Sequence, residues 1–460
     1  MRLNEVDLNG NDELTFRFRN IDKMLEYKEL ENLEMYFCPF DMEDDVLEGC
    51  FNLYWKGDEI LWDNFIGHYF LIFYIQYITL ILSEDDEERK IPEKINWRLC
   101  RSDFNMDGFI HELLDKPIVK MIKKLAMNQE HKVRTDELQF YLNLLHNTVI
   151  ELVGRINGVN IFALKDSEDE IDYAKINDVM NWEKAKDSGL FRFLNQFHKR
   201  QKNRIDLRSI PEWQRWLLLE FPNKYFDILT EMVFPKWYIV SFCKNCTNTR
   251  NWAQYGDSNK GICLIYRTHQ GIAGRGLRLK TCQEYSNSKG KIYSNHIEPL
   301  CNVEYSANCP ELNFFEMLGN LPGKMVNEWF HDSKGNTSIY YLKHDNSLDW
   351  QQWHREYWEL FQKIVMHKGE DWDGLAEERI ILENSMLVNY EYNPSERKIK
   401  YDFDELRGII WGCRVKDAQK EKIRSIINEL CANRGRTDFE FYQAVKDSSS
   451  HEIWIEKEIL

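Results

Sequence analysis

Short segments near both ends of the chain alternate apolar and polar residues with a period of two. Residues 14–19 read LTFRFR, in which aromatic residues alternate with Arg17 and Arg19, and this pattern predicts a half-buried strand. Aromatic and β-branched runs predict further strands at residues 35–38, 237–242, 261–267, 300–305, 378–382, 408–412, 439–445 and 453–460. The remainder of residues 268–348 is polar and predicts irregular structure.

Between about residues 50 and 235 the spacing of apolar residues becomes helical. Residues 138–156 are apolar at helical intervals, and Ser209, followed by Ile210, Pro211 and Glu212, begins a sequence typical of a capped helix start. Residues 64–83 contain no charged side chain and are long enough to cross a bilayer as a helix. Their acidic flanks and the lack of a Lys or Arg cluster favour a buried core helix, so we expect no membrane association.

These patterns predict an α+β fold with two parts. Residues 1–50 and 235–460, which include amphipathic helices at 350–366 and 417–432, form a domain with a mixed or antiparallel sheet. Residues 51–234 form a large helical insertion, a candidate recognition module. The 460 residues include only 22 Gly and 10 Pro, below the usual share of about 7% and 5%, which agrees with long helices.

The charge of the chain is unevenly distributed. The formal net charge of −16 argues against a general nucleic-acid coat protein, although phosphate binding needs only a local basic patch. Positive charge is gathered at residues 116–134 and 199–208, each of which is either a docking surface or a solvated helix face. The candidate nucleic-acid contacts are Lys199, Arg200, Lys202 and Arg204.

The cysteines indicate a reducing compartment. There are 11 at irregular spacings, and the first residues lack the basic and apolar regions of a signal peptide, so we expect free thiols in the cytoplasm. Cys243 and Cys246 form a C-x-x-C motif without a second pair at matching spacing, and no metal site is therefore predicted.

The most distinctive stretch combines aromatic, small and turn-forming residues. It comprises Ser241-Phe242, then Trp252-Ala253-Gln254-Tyr255-Gly256-Asp257, then Lys260-Gly261-Ile262-Cys263. This order resembles the signature of domain-of-unknown-function family 2971, a bacterial family often encoded beside mobile-element and phage-defence genes. The resemblance implies a role in antiviral defence, with a phage protein, a nucleic acid or another defence component as partner.

Further motifs of that family follow in the expected order. They are FRFR at 16–19, DDVLEG at 44–49, VEYS at 303–306, WDGLAEER at 372–379 and GIIWGCR at 408–414. The resemblance covers roughly residues 14–50 and 235–460. Three residues depart from the family pattern: Val46 replaces a proline, Cys243 a serine, and Leu375 the first glutamate of E-x-E.

An arginine on an early strand, a serine on an aromatic strand and a glutamate entering a late strand resemble the layout of ADP-ribosyltransferases. This resemblance implies NAD as substrate and Glu377, Ser241 and Arg17 as catalytic residues. A carboxylate at Glu377 would stabilise the oxocarbenium-like charge that develops as nicotinamide leaves the ribose. Ser241 would orient Glu377 or the ribose, and Arg17 would pair with a phosphate.

The same resemblance implies that Arg19, Trp252 and Tyr255 bind the dinucleotide, Arg19 through a phosphate and the two rings by stacking on nicotinamide or adenine. Leu375 argues against arginine as the acceptor of ADP-ribose and favours another residue type, a nucleic acid or water. The same residues also have purely structural interpretations. Arg17 and Arg19 are then edge residues of a sheet, Ser241 a hydrogen-bonded hydroxyl, and Trp252 and Tyr255 core aromatic rings.

Three functions are consistent with these residues. The leading hypothesis is an NAD-using, ADP-ribosyltransferase-like toxin or effector of antiviral defence. The alternatives are a non-enzymatic protein that senses a phage or nucleic-acid ligand for a partner effector, and a metal-dependent nuclease. Two structural expectations accompany them. Asp45 and Glu48 cap a helix start or bind a cation, with the cap favoured, and Arg379 is the ion-pair partner of Glu377 rather than a site group.

Overall fold

The computed structural model describes residues 5–43, 45, 47–82, 89–128, 131–158, 210–234, 236–341, 347–384, 387–447 and 449–458. The predicted nucleic-acid contacts Lys199, Arg200, Lys202 and Arg204 lie outside these residues, so their role stays a prediction.

The described strands lie mainly in the first 60 residues and after residue 236. They are β1 (Leu14–Arg19), β2 (Glu34–Tyr36), β3 (Cys38–Pro39), β4 (Asn52–Trp55), β5 (Val133–Arg134), β6 (Trp237–Cys243), β7 (Ile262–Arg267), β8 (His269–Gly271), β9 (Gly274–Ser286), β10 (Gly290–Pro299), β11 (Cys301–Asn302), β12 (Glu304–Ser306), β13 (Glu311–Asn313), β14 (His367–Gly369), β15 (Glu377–Glu383), β16 (Lys398–Tyr401), β17 (Leu406–Trp411), β18 (Glu440–Lys446) and β19 (Ile453–Lys457).

The described α-helices differ widely in length. They are α1 (Ile21–Glu26), α2 (Glu29–Asn32), α3 (Glu59–Leu82), α4 (Asp107–Leu114), α5 (Pro117–Ala126), α6 (Thr135–Ile156), α7 (Glu212–Arg215), α8 (Phe221–Val233), α9 (Thr249–Gln254), α10 (Gly323–Phe330), α11 (Ser347–Val365) and α12 (Asp417–Arg434). A π-helical turn, Trp216–Glu220, joins α7 to α8.

The chain divides into two compact units. Unit 1 comprises Met1–Cys50, Pro235–Pro310 and Gln362–Leu460, and unit 2 comprises Phe51–Phe234 and Glu311–Phe361. Residues 311–361, which the sequence pattern groups with the flanking segments, thus belong to unit 2. They do so because β13 pairs in parallel with β4 and because α10 packs on α3.

Unit 1 is built on a large mixed sheet, which confirms the predicted α+β fold class. Its strands lie in the order β11-β15-β6-β1-β7-β17-β18-β19, and β3 pairs with β6 beside this path. The neighbours are antiparallel except for β17 and β18, which run parallel. Adjacent residues such as Cys263 and Leu264 enter different cores, so each face of the sheet is buried against its own apolar cluster.

A second sheet of unit 1 contains a long hairpin that the sequence pattern misses. Strands β9 and β10 pair from Gly276 to Ser286, a segment predicted to be irregular. The pattern fails here because most side chains of the hairpin are half-buried or exposed, and only a few, such as Leu277 and Leu279, reach the core. Alternation of apolar and polar residues, the usual sign of a strand, is therefore weak.

In its described residues unit 2 is mainly helical, with a three-stranded sheet of β13, β4 and β5. Helix α3 contains the uncharged segment and is long and apolar enough to cross a membrane, but 67% of its most apolar stretch is buried among the other residues of the structure. Length and composition are shared by membrane spans and buried core helices, so the predicted absence of membrane association stays a prediction.

Candidate functional site

A cleft opens in unit 1 where two neighbouring strands diverge. Strand β1 pairs with β7 along its full length, but it is in register with β6 only where Phe16 faces Cys243. Further along β6, the short strand β3 takes the pairing positions at Tyr238 and Ile239. Beyond Phe16 the strands therefore separate, and a cleft of about 320 Å³ lies between them.

This volume is at the lower end of the range of about 300–1,000 Å³ for small-molecule sites. The residues that line the cleft are Arg17, Phe18, Arg19, Lys23, Tyr36, Cys38, Met42, Glu43, Ile239, Val240, Ser241, Cys243, Tyr255 and Glu377. They include five of the six catalytic and NAD-binding residues predicted from the sequence, and all of them belong to unit 1.

One wall of the cleft is cationic. Arg17 and Arg19 lie in the second half of β1, and Lys23 lies on α1. Glu29 lies beside both arginines: Arg19 donates to it through Nε at 3.0 Å and through a second, shorter contact, while Arg17 lies 3.9 Å away. Burial and the positive charge of Arg19 lower the pKa of Arg17, since the site disfavours a second cation.

The predicted half-burial of β1 is wrong at Arg17, which is only 8% exposed. Both faces of the sheet are covered by apolar cores, so alternation along β1 does not separate an inner from an outer face. The buried Arg17 is among the residues that line the cleft. A buried arginine facing a cavity favours an anionic occupant over a role at a sheet edge.

Ser241 and Glu377 line another part of the cleft, where β6 pairs with β15. Ser241 faces Arg379 in the register of the two strands, and Glu377 faces Cys243, so all three polar side chains lie on one face of the sheet. The Ser241 hydroxyl donates to Oε1 of Glu377 at 2.6 Å, and Nε of Arg379 donates to the same oxygen at 2.7 Å. The predicted orienting contact and the predicted ion pair are both present.

Behind this pair lies a buried network of two carboxylates and two cations. Nζ of Lys368 is 3.1 Å from Oε2 of Glu377 and 3.3 Å from Oε2 of Glu48, while Arg379 reaches the other oxygen of Glu48 in a short contact. The four side chains are at most 5% exposed. The network is electrically balanced, as buried charges require.

The network fixes the ionisation of Glu377. Burial alone would raise the pKa of this carboxyl, but the charges of Arg379 and Lys368 outweigh burial and lower the pKa to about 2. Glu377 is therefore a carboxylate throughout the physiological range. Its neighbour on β6, Cys243, is chemically inert by comparison, because burial raises the pKa of its thiol well above the usual value.

A second carboxylate, Glu43, lines the cleft from the loop that follows β3. It is half-buried, and burial together with the negative charge of Glu48 raises its pKa to about 7. The cleft thus contains one acid that stays ionised and one that exchanges its proton near neutral pH.

Trp252 and Tyr255 have different positions although both belong to the distinctive stretch. Trp252 is fully buried, donates its indole N–H to the carbonyl of Cys246 at 2.7 Å and packs edge-on against Phe18. It does not line the cleft, and stacking on a ligand is not its role in this structure, since no face of the ring is accessible. Tyr255 lies half-buried on the cleft, as predicted.

The rest of the distinctive stretch builds a tight turn. Asp257, Ser258 and Asn259 have positive φ angles of 50°, 54° and 69°, which lead the chain back to β7. A Cβ at Gly261 would lie 2.4 Å from the carbonyl oxygen of Arg19, so only glycine permits this approach. Much of the stretch therefore supports the end of β1 rather than contacting a ligand.

Sequence reasoning missed Lys23, Glu43 and Lys368, and it assigned Glu48 to a helix cap. Glu48 is instead a buried ion-pair partner, and the described residues 47–58 form turns and β4 rather than a helix. A signal for Glu48 and Arg379 was present, since both belong to the motifs of the family resemblance. No local pattern indicates Lys368, which is a charged residue on the short strand β14.

Within the ranges that the structure describes, no group of three His, Cys, Asp or Glu side chains is arranged to hold a metal ion. Comparisons of the chain with known protein families, with curated proteins and with solved structures give no match.

Proposed function

We propose that unit 1 binds NAD as a substrate in this cleft and breaks the bond between nicotinamide and ribose, as an ADP-ribosyltransferase-like or NAD-cleaving effector. The observation that carries the proposal is the hydrogen bond from Ser241 to Glu377 in a cleft that Arg17 and Arg19 also line. An oriented carboxylate that is ionised at neutral pH and two arginines thus line the same cleft.

The carboxylate of Glu377 suits the charge that develops in this reaction. Heterolysis of the bond from ribose C1′ to nicotinamide N1 leaves the electron pair on nicotinamide and positive charge on the ribosyl group. A carboxylate accepts hydrogen bonds at about four positions, and Ser241, Arg379 and Lys368 occupy three of them among the described residues. The fourth, on Oε2, suits the ribose 2′-hydroxyl.

The cationic wall suits the diphosphate of NAD. Guanidinium groups bind phosphate oxygens through paired hydrogen bonds, and Arg17 and Arg19 share only one carboxylate, Glu29, among the described residues. Two arginines with one acid between them leave an excess positive charge, to which Lys23 adds. Tyr255 provides an aromatic surface on the same cleft for a nicotinamide or adenine ring.

The acceptor of ADP-ribose is constrained by Leu375. This residue stands where arginine-modifying enzymes carry the first glutamate of E-x-E, and it is only 2% exposed. A buried leucine cannot orient a guanidinium, so we propose water or another hydroxyl as the acceptor. The setting in bacterial antiviral defence rests on the family resemblance.

The test is release of nicotinamide from NAD by the purified full chain, followed by chromatography with and without extract from phage-infected cells. The decisive variant is Glu377→Gln, and its matched control is Glu378→Gln. Glu378 is equally buried on β15, but it contacts Thr15 and Arg275 and does not line the cleft. We expect loss of release only in Glu377→Gln.

The thermal unfolding temperature of each variant must accompany the assay, since both substitutions remove a buried carboxylate. Equal release by Glu377→Gln and the parent would overturn the role of Glu377. No release and no NAD binding by the parent, in buffer or in extract, would overturn the proposed function and favour a non-enzymatic sensor.

A further inference from the structure

We propose that Glu43 is the general base of this site and takes the proton of the hydroxyl that attacks ribose C1′. This inference rests on the proposed function and adds a catalytic residue to it. Leu375 occupies the position of the first acid of E-x-E, so the site would instead use a carboxylate from a distant part of the sequence.

The loop that carries Glu43 is fixed at both ends. Strand β3 pairs with β6 immediately before it, and the ring of Phe40 packs against Trp237 at 5.2 Å between centroids. On the other side Gly49 has φ +64°, and a Cβ there would lie 2.5 Å from the ring of Phe40. Glu43 therefore faces the cleft from an anchored turn, with its backbone N–H bonded to the carbonyl of Phe40.

Among the described residues that line the cleft, Glu43 and Glu377 are the two carboxylates. Glu377 cannot accept a proton near neutral pH, because Arg379 and Lys368 hold it ionised. Glu43 lies under opposing influences: Glu48 and Glu377 repel a negative charge on it, whereas Arg379 and Lys368 attract one. Burial raises its pKa to about 7, the value at which a general base is most effective.

The two acids would therefore divide the reaction between them. Glu377 stabilises the ribosyl cation as the C1′–N1 bond breaks and nicotinamide leaves with the electron pair. A water oxygen then bonds to C1′, and its proton passes to the carboxylate of Glu43 and on to solvent. The products are ADP-ribose, nicotinamide and one proton, so the step needs no further reactant.

The test compares Glu43→Gln with Asp45→Asn in the nicotinamide-release assay, using the full chain and NAD. Asp45 lies in the same loop outside the cleft and accepts the Leu47 N–H at 2.9 Å, a bond that asparagine retains. In Glu43→Gln we expect kcat to fall about 10²- to 10⁴-fold with KM unchanged. Asp45→Asn should keep the parental kcat.

The pH profile separates a base from a structural residue. The parental rate should rise as pH increases through about 7, the pKa of Glu43, whereas the residual rate of Glu43→Gln should lose that rise. Glu43→Asp, which keeps a base, should restore part of the pH dependence. An active parent with an unchanged Glu43→Gln rate and profile, or a loss confined to KM, would overturn the role of Glu43 alone. An inactive parent that binds no NAD would overturn the proposed function itself.

Discussion

Ser241 and Arg379 face each other across β6 and β15, and both donate to Oε1 of Glu377, at 2.6 and 2.7 Å. Two donors on one oxygen fix the plane of the carboxylate. Because both donors belong to paired strands, the register of β6 and β15 fixes the orientation of Glu377.

The hydroxyl of Ser241 should matter for rate more than for folding. A hydrogen bond to a charged group contributes about 1.5–3 kcal/mol, so we expect Ser241→Ala to lower nicotinamide release by about 10- to 150-fold. Ser241→Thr, which retains a hydroxyl, should recover part of the rate. Steady-state kinetics of both variants, with unfolding temperatures measured alongside, test this expectation. A parental rate in Ser241→Ala would show that Arg379 and Lys368 suffice to orient Glu377.

Glu48 should contribute strongly to stability. Glu48→Gln leaves Arg379 and Lys368 with one carboxylate in a buried site, and breaking a buried ion pair in this way destabilises proteins by about 3–5 kcal/mol. The control is Glu421→Gln, since the Glu421 side chain is 73% exposed and pairs with Arg424 on the surface of α12. Its effect should stay within about 1 kcal/mol. Urea unfolding measures both, and equal effects would contradict the buried network.

Acid should destabilise unit 1 through Glu377. Its pKa is about 2 in the folded state and near 4.5 in the unfolded chain, so the folded state binds fewer protons in this range. The stabilisation is complete above pH 4.5 and is lost as the pH falls toward 2. It amounts to about 3 kcal/mol at 1.36 kcal/mol per pKa unit.

Unfolding free energies measured between pH 5 and 2.5 check this sign. The parent should lose stability faster than Glu377→Gln, whereas Glu378→Gln should lose stability at least as steeply as the parent. Burial raises the pKa of Glu378, so that group works in the opposite direction. Parallel slopes for the parent and Glu377→Gln would contradict the low pKa.

Gly261 should be intolerant of substitution. In Gly261→Ala the new Cβ would meet the carbonyl oxygen of Arg19 at 2.4 Å, so the end of β1 must shift and both stability and NAD binding should fall. A Cβ added at Gly108 on α4 would enter open space, and Gly108→Ala should stabilise the chain by about 0.4–1 kcal/mol. Opposite changes in unfolding temperature are the expected result.

The sequence alone predicts the strands that carry the site, because β6 and β15 are aromatic and β-branched over their whole length and β1 alternates. Arg17, Ser241 and Glu377, which the resemblance to ADP-ribosyltransferases groups together, line one cleft. The order of strands brings them together: β1, β6 and β15 are neighbours in the sheet although they are far apart in the chain.

What the sequence could not show depends on burial. Trp252 reads equally well as a ligand platform and as a core residue, and only its complete burial decides between them. Lys368 and Glu48 look like surface charges in the sequence, because a pattern of one segment contains no information on a partner from another. The hairpin of β9 and β10 is not predicted for the opposite reason: few of its side chains are buried, so its sequence lacks the apolar alternation of a strand.

The two parts of the cleft, on β1 and on β15, are far apart in the sequence, so the ribosome synthesises them at different times. Arg17 and Glu377 are 360 positions apart, and at about 5–20 residues per second a ribosome needs about 20 to 70 s to pass from one to the other. Throughout that interval the nascent chain carries the cationic wall without its acidic counterpart. The proposed NAD-cleaving site would therefore be incomplete during most of translation, until β15 joins β6.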